Sequence, residues 1–294
     1  MLHLPQDLPI ISTLREEGAA VAPFCQRAFL QVPRPEGKTV LLLNLMPQKE
    51  VTELDIARMM AGREEDVHLL LVKISGQTYK TTPQEHMDRF YVNFEDLAAQ
   101  TFDRLIVTGA PVEHLPFEEV RYWQQLCGIM DWAETHVRST LYVCWGAQAG
   151  LYHHYSIPKY ALPAKMFGIF PQRILDPASP LLRGLPDPFP MPNSRHTEVR
   201  ATDFRDLPVR IIAQSEESGV GIASTPSCHQ VFIVGHFEYA AETLQNEFLR
   251  DRSKGLPIAP PRHYYQDDDP HREVCFSWRD AARTFYGNWL GMNH

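Results

Sequence analysis

The stretch Ser139-Thr-Leu-Tyr-Val-Cys144-Trp-Gly-Ala-Gln-Ala-Gly150 sets a cysteine between two segments of opposite character. Residues 140–143 are β-branched and aromatic and suit a buried strand, whereas residues 146–155 begin with small side chains and suit a helix packed close to it. A side chain on so sharp a strand-to-helix turn projects above the sheet, and the N–H groups that open the helix point into the same space. Those groups favour a thiolate and can receive an oxyanion. Taken alone, the stretch is equally compatible with a buried structural cysteine.

Upstream, the pattern alternates regularly. Apolar runs at 39–45, 67–74 and 102–108 read as strands, and helices are expected at 52–61, from 83 towards 97, and over 117–136. Thr52 with Glu53 and Asp55 suggests a capped helix start. Strands and helices alternating at this length imply right-handed crossovers and a mostly parallel sheet with helices on both faces, an α/β three-layer sandwich. The active site of such a sheet lies at the C-terminal strand ends, which gathers Lys49, the loop 109–113 and Cys144. Downstream of residue 155 the prolines multiply and the reading becomes loop-rich. Strands return at 209–214, 221–224 and 231–235, an antiparallel edge to the sheet, followed by helices at 240–252 and 278–290. Residues 1–37 read as an N-terminal extension lying across the domain, and 38–294 as a single α/β domain.

The chain has 294 residues, 44% of them hydrophobic, enough for a full core. Its formal net charge of -8 leaves no basic stripe to replace the counterions of a nucleic acid, so small-molecule substrates are expected. Cysteines at 25, 127, 144, 228 and 275 show no paired spacing, which suits a reducing, cytoplasmic setting. No segment has the length and apolarity of a membrane span. Thirteen histidines form neither an HExxH nor a Cys/His ladder, so no metal site is expected.

A nucleophilic cysteine needs a base, and the base an orienting group. His236 and Glu238 end the apolar run 231–235, and on an extended strand residues i and i+2 point the same way, so the two can form a relay with Cys144. With these residues in view the chain resembles the homoserine O-acyltransferase family, of the class I glutamine-amidotransferase-like fold. The matching stretches are Leu43-Asn-Leu-Met-Pro, Val107-Thr-Gly-Ala-Pro, Val143-Cys-Trp-Gly-Ala-Gln-Ala, Pro192-Asn-Ser-Arg, Gly235-His-Phe-Glu-Tyr and Glu247-Phe-Leu-Arg-Asp, in one order over nearly the whole chain.

The resemblance implies Cys144 as acyl-thioester nucleophile, His236 as proton acceptor, Glu238 as its partner, and Lys165, Ser194 and Arg250 as substrate-binding residues. It also implies acetyl-CoA and L-homoserine as substrates, a place in methionine biosynthesis, no permanently bound cofactor, and a homodimer. Chemistry agrees: exchanging one thioester for another costs little, and His236 can then activate the homoserine hydroxyl. The oxyanion would lie between the Trp145 N–H and an N–H of loop 109–113, Val112 being preferred because Pro111 has none. Lys49 would add positive charge nearby. Glu247 is a candidate for the substrate amine, and Arg250 has Glu247 and Asp251 as alternative partners on its own helix.

In this family a glycine at the place of Glu113 goes with succinyl-CoA and a glutamate with acetyl-CoA. A carboxylate there would fill the space a succinyl chain needs and repel its terminal charge. Ser156, Asn193 and Gln48 depart from the usual family residues, and Asn193, beside Ser194, bears on acceptor identity. The rivals are an L-serine O-acetyltransferase, a homoserine O-succinyltransferase, a glutamine amidotransferase subunit and a non-catalytic module.

Overall fold

The computed structural model describes residues 1–31 and 36–292. Its centre follows from strands apolar on both faces. Val40 to Leu43 in β3 (Lys38–Leu43) and Leu69 to Val72 in β4 (Val67–Lys73) are all buried, because helices cover both sides of a parallel sheet. Before them in the chain come β1 (Leu2–Pro5), α1 (Ile10–Glu16), β2 (Val21–Phe24) and α2 (Gln26–Phe29). Between and after them lie α3 (Lys49–Met60), α4 (Gln84–Phe90), β5 (Val92–Asn93), β6 (Phe102–Val107), α5 (Trp123–His136), β7 (Val137–Val143) and α6 (Trp145–Tyr155). Then follow β8 (Tyr160–Ile174), β9 (Phe189–Glu198), β10 (Arg210–Ser215), β11 (Gly219–Ser224), β12 (Gln230–Ile233), α7 (Thr243–Ser253) and α8 (Arg279–Gly291).

The sheet runs β2-β1-β4-β3-β6-β7-β12-β11-β10-β8-β9, with β5 paired to the end of β4. It is parallel from β2 to β12 and antiparallel beyond. Leu43 pairs with Val107, Val107 with Tyr142, and Val143 with Ile233, so four strands end at one level. The segments leaving that level hold Cys144, the loop 109–113 and the turn with His236 and Glu238.

Several expected elements differ. The N-terminal segment does not simply lie across the domain: β1 hydrogen-bonds to β4 and β2 to β1, so it extends the sheet by two strands. The helix expected from 83 towards 97 stops at Phe90, where Val92 leaves to pair with Val72. The helix expected at 117 opens as a 3-10 turn and becomes α5 only at Trp123. Thr52 lies inside α3 rather than at its start, with its hydroxyl turned back to the Gln48 carbonyl at 3.4 Å. The largest difference is β8 and β9, a long antiparallel ribbon where loop was expected. Prolines 163, 171, 190 and 192 disguised it, and they are tolerated because the ribbon lies at the sheet's outer end, where fewer N–H groups are required.

Helix α8 closes the fold against the underside of the sheet. Trp289 donates from its indole to the Ser139 hydroxyl at 2.9 Å, and Arg104, from β6, donates to the carbonyls of Trp289 and Leu290 at 3.0 and 3.1 Å, satisfying the end of the helix.

Candidate active site

Cys144 directly follows the last residue of β7 and caps α6. Its N–H donates to the Ile233 carbonyl at 2.7 Å, which locks the turn onto β12. The backbone there has φ 52° and ψ -115°, a conformation L-residues rarely adopt and one that costs about 1–3 kcal/mol. Such strain persists only when surroundings impose it, and here Gly146 is the means. A Cβ at Gly146 would come within 2.6 Å of the Thr108 carbonyl oxygen and 2.7 Å of that of Val107, so only glycine lets α6 begin so close to the end of β6. Gly109 leaves the other side open: a Cβ there would sit 3.3 Å from that of Cys144 and 3.7 Å from the Trp145 nitrogen. Gly109 therefore keeps clear the space beside Cys144 and the first helical N–H, while Gly146 lets the helix start against β6.

His236 and Glu238 meet, though not by the expected route. β12 ends at Ile233, and both residues lie in the turn that follows rather than on an extended strand. The turn is set by the His236 N–H, which donates to the Pro192 carbonyl at 2.9 Å, and by Gly235, whose Cβ would stand 2.5 Å from that oxygen. Nδ1 of His236 lies 2.7 Å from Glu238 Oε1. Both side chains are buried. Tyr239 lies flat on the imidazole, centroids 4.1 Å apart and planes 13° from parallel. Burial opposes a charge on His236, but Cys144 and Glu238, each in hydrogen-bond contact with it, outweigh that and hold the imidazole well above its usual range.

The residues implied for substrate binding converge as well. Ser194 from β9 and Lys165 from β8 both donate to Glu247 Oε2 on α7, at 2.5 and 3.0 Å, and Tyr239 donates to Oε1 at 3.1 Å. Lys165 also reaches Asp251 Oδ2 at 3.5 Å and stands over the Phe167 ring at 4.2 Å. It is carried inward where the β8–β9 register shifts between Ala161 and Met166. Arg250 bonds to Asp251 at 2.7 Å with half of its side chain exposed, the helix-local pairing that was the alternative to a substrate contact.

The other candidates have partners of their own. The Lys49 ammonium donates to the Asn44 carbonyl at 2.5 Å and faces the Tyr79 ring at 5.2 Å. Burial lowers it to about 8, with Glu53 opposing. Val112 is half-buried and its carbonyl accepts the Leu115 N–H at 3.0 Å, so the chain turns sharply there. Glu113 follows, mostly buried, with Lys159 donating to its carbonyl at 2.5 Å and His196 3.9 Å from its carboxylate.

Spacing alone singled out neither Tyr239 nor Arg195, although both close motifs quoted above. Arg195 is buried and donates to Asn193 Oδ1 at 3.2 Å, to the Thr197 carbonyl at 2.7 Å and to the Ser218 carbonyl. Burial lowers its basicity, and Cys144 heads the charges that offset this, followed by Glu198 and Glu113. Asn193, one of the departures from the family pattern, is thus a buried partner of Arg195. Ser156, another, caps α6 at φ 58° and ψ 24°, a left-handed conformation in which glycine is at home.

No metal was expected. The described residues nonetheless bring two His/acid groups within ligand spacing, Glu113–His114–His196 and Asp131–His153–His154. In the second the imidazoles are already engaged, His153 with Asp131 at 2.6 Å and His154 with the Tyr142 hydroxyl at 3.1 Å. Among the described residues no helix is long and apolar enough to cross a membrane.

A cysteine elbow at the C-terminal edge of such a sheet, faced by a His–Glu pair, defines the class I glutamine amidotransferase type of fold. A glutamine amidotransferase from Thermotoga maritima superposes with a TM-score of 0.55 at 14% identity, over 87% of this chain and 99% of that one, a likeness of fold alone. The sequence is more specific: the homoserine O-succinyltransferase profile matches residues 1–293, and the chain belongs to that family. Among its relatives, a homoserine O-acetyltransferase of Parabacteroides distasonis is 48% identical over 98% of this chain and 93% of its own length. One of Bacteroides thetaiotaomicron is 47% identical over 98% and 94%.

Proposed function

We propose that this chain transfers an acetyl group from acetyl-CoA to the hydroxyl of L-homoserine, through a thioester on Cys144, in methionine biosynthesis. The observation that carries this reading is the junction of two clusters at one sheet edge: Cys144 with His236 and Glu238, the last two 2.7 Å apart, and Lys165 with Ser194 on Glu247. The relatives named homoserine O-acetyltransferase support it.

His236 takes the Cys144 proton, and the sulfur attacks the acetyl carbonyl. The oxyanion is received by the Trp145 N–H and by loop 109–113, where Val112 supplies the second donor. Collapse breaks the carbon–sulfur bond to CoA, whose sulfur takes the proton from His236. Acylation removes the charge on Cys144, one of the two that raise His236, and the imidazole becomes a base able to accept the homoserine hydroxyl proton. The alkoxide then attacks the thioester, O-acetyl-L-homoserine leaves, and the thiolate–imidazolium pair returns. Acetyl-CoA is a co-substrate, and no resident cofactor enters a step.

In the acceptor site, Glu247 is suited to the homoserine ammonium and Arg250 with Lys165 to its carboxylate. The family description names a succinyl transfer, and Glu113 argues for acetyl. Its carboxylate facing a succinyl terminus at ~4 Å and an effective dielectric near ~20 would repel it by on the order of 4 kcal/mol. The acceptor is less tightly constrained, since L-serine lacks one methylene, worth only ~1–3 kcal/mol. Five free cysteines support a reducing, cytoplasmic setting, and the family resemblance supports a homodimer.

Intact-mass spectrometry tests the reading directly. Acetyl-CoA should add one acetyl group to the wild type and none to Cys144→Ala, and homoserine, not serine or water, should discharge it. An unmodified wild-type mass under turnover and rapid-quench conditions would rule out the covalent route.

A further inference from the structure

Behind the relay, on the side away from Cys144, lies a second polar group. Glu238 uses Oε1 for His236, while its Oε2 is buried with no partner among the described residues. The Tyr286 hydroxyl, on α8, is equally buried and equally without a partner. Helix α8 is directly behind the catalytic turn, with Phe285 packed on Phe237 at a centroid distance of 5.3 Å. Asp55, on α3, is also buried, with a 3.3 Å contact to Arg58, itself bound to Glu17. A cavity of about 670 Å³ lined by Arg58, Met59, Glu238 and Tyr239 gives water a way to this region. Orphaned buried oxygens are costly, and an internal water is the usual partner for such a group.

We propose that Asp55 and Tyr286 are positioning residues for the relay: with a buried water they form a hydrogen-bonded cluster on Glu238 Oε2 that fixes the carboxylate from behind. In this arrangement Tyr286 and a neutral Asp55 both donate to the water, which donates in turn to Oε2, so that Oε1 stays aimed at His236 Nδ1. Burial first, then Glu238, raises Asp55 to about 8, with Arg58 opposing and Glu242 adding to the rise, so the side chain is a neutral donor at pH 7. Burial, Glu238 and Asp55 likewise raise Tyr286 well above its usual range, keeping its proton available. The charged groups facing Asp55 are thus Arg58 on its own helix and Glu238 and Glu242 after β12, with the neutral but titratable Tyr286 on α8. Glu17, Arg279 and Arg283 line the adjoining cavity.

The proposal rests on the relay assigned above, and its test includes a readout that needs no acyl donor: the pH dependence of Cys144 alkylation by iodoacetamide, alongside kcat/KM for acetyl-CoA. Asp55→Asn, which mimics the neutral acid, should keep kcat/KM within about 3-fold at pH 7, while Asp55→Ala should lose about 10-fold or more. Tyr286→Phe should lose a similar factor, and the Tyr286→Phe/Asp55→Ala double variant should lose no more than the worse single one. In the wild type the alkylation rate should show an inflection near pH 8 that Asp55→Asn lacks. Asn and Ala at 55 failing alike, or alkylation profiles of one shape in wild type and Asp55→Asn, would overturn the proposal. Should no acetyl adduct form while the alkylation profiles behave as described, it is the acyl-transfer reading that falls and the cluster that stands.

Discussion

The Ser194 hydroxyl and Glu247 Oε2 are 2.5 Å apart, and Lys165 occupies the same oxygen at 3.0 Å. In the function proposed above, the lysine holds the position that an acceptor ammonium would take. Binding of homoserine would hand that oxygen to the substrate and turn Lys165, still within 3.5 Å of Asp251, towards the substrate carboxylate. Glu247→Gln removes the charge and should raise the KM for homoserine by about 10- to 100-fold, as expected for a lost charge-assisted hydrogen bond of roughly 1.5–3 kcal/mol. Acetyl loading of Cys144 should be unaffected. Steady-state kinetics beside intact-mass loading separates the two halves.

Gly109→Ala tests the space above the nucleophile. No unusual φ demands glycine there, so the chain should fold, but the new methyl would lie 3.3 Å from Cys144 Cβ and 3.7 Å from the Trp145 nitrogen. A donor screened from the oxyanion should slow acylation by about 10- to 100-fold with little change in Tm. Rapid-quench loading with acetyl-CoA measures it.

Glu113→Gly should move the ratio of kcat/KM for acetyl-CoA over succinyl-CoA by roughly 100-fold or more towards succinyl, the order implied by ~4 kcal/mol of removed repulsion less screening. An unchanged ratio would mean that this carboxylate does not face the acyl chain.

Asp55 carries a stability prediction with a defined sign. Its folded-state value, raised by burial and Glu238 to about 8, exceeds the ordinary 3.8, so the folded state keeps a proton that the unfolded state releases. Its contribution is fully present below about pH 4 and is lost at about 1.4 kcal/mol per pH unit until the pH reaches the folded-state value. Relative to Asp55→Asn, the wild type should therefore weaken steadily from pH 5 to pH 8 and level off above. Urea midpoints across that range give the slope.

Ser156→Gly should stabilise the protein. The C-cap of α6 sits at φ 58°, where a side chain costs about 1 kcal/mol that glycine does not. Thermal melts of the variant should show a Tm a few degrees higher, with activity unchanged.

The central sheet and the nucleophile were legible because each rests on local pattern. Runs such as Leu41-Leu42-Leu43 are apolar on both faces, and the Cys144 turn is written in adjacent residues. His236 and Glu238 were found for a reason that proved incomplete: they meet through a turn held by the Pro192 carbonyl, a contact between distant segments that no strand periodicity encodes. The β8–β9 ribbon was hidden because its prolines read as loop until the opposite strand is known. Asp55 and Tyr286 were out of reach altogether, since a buried acid on α3 and a phenol on α8 become neighbours only when both helices pack behind one carboxylate.

That ribbon separates two tasks. Lys165 and Ser194 come from its paired strands, which pair with the sheet through β10, whereas Cys144 and the turn bearing His236 leave the ends of β7 and β12 in the middle. In the function proposed above, part of the acceptor site is thus housed in an appendage and acyl loading in the chassis. The two are nevertheless coupled at one atom, the Pro192 carbonyl of the ribbon, which holds the His236 turn at 2.9 Å, so any exchange of residues 160–198 for another acceptor must keep that carbonyl in place.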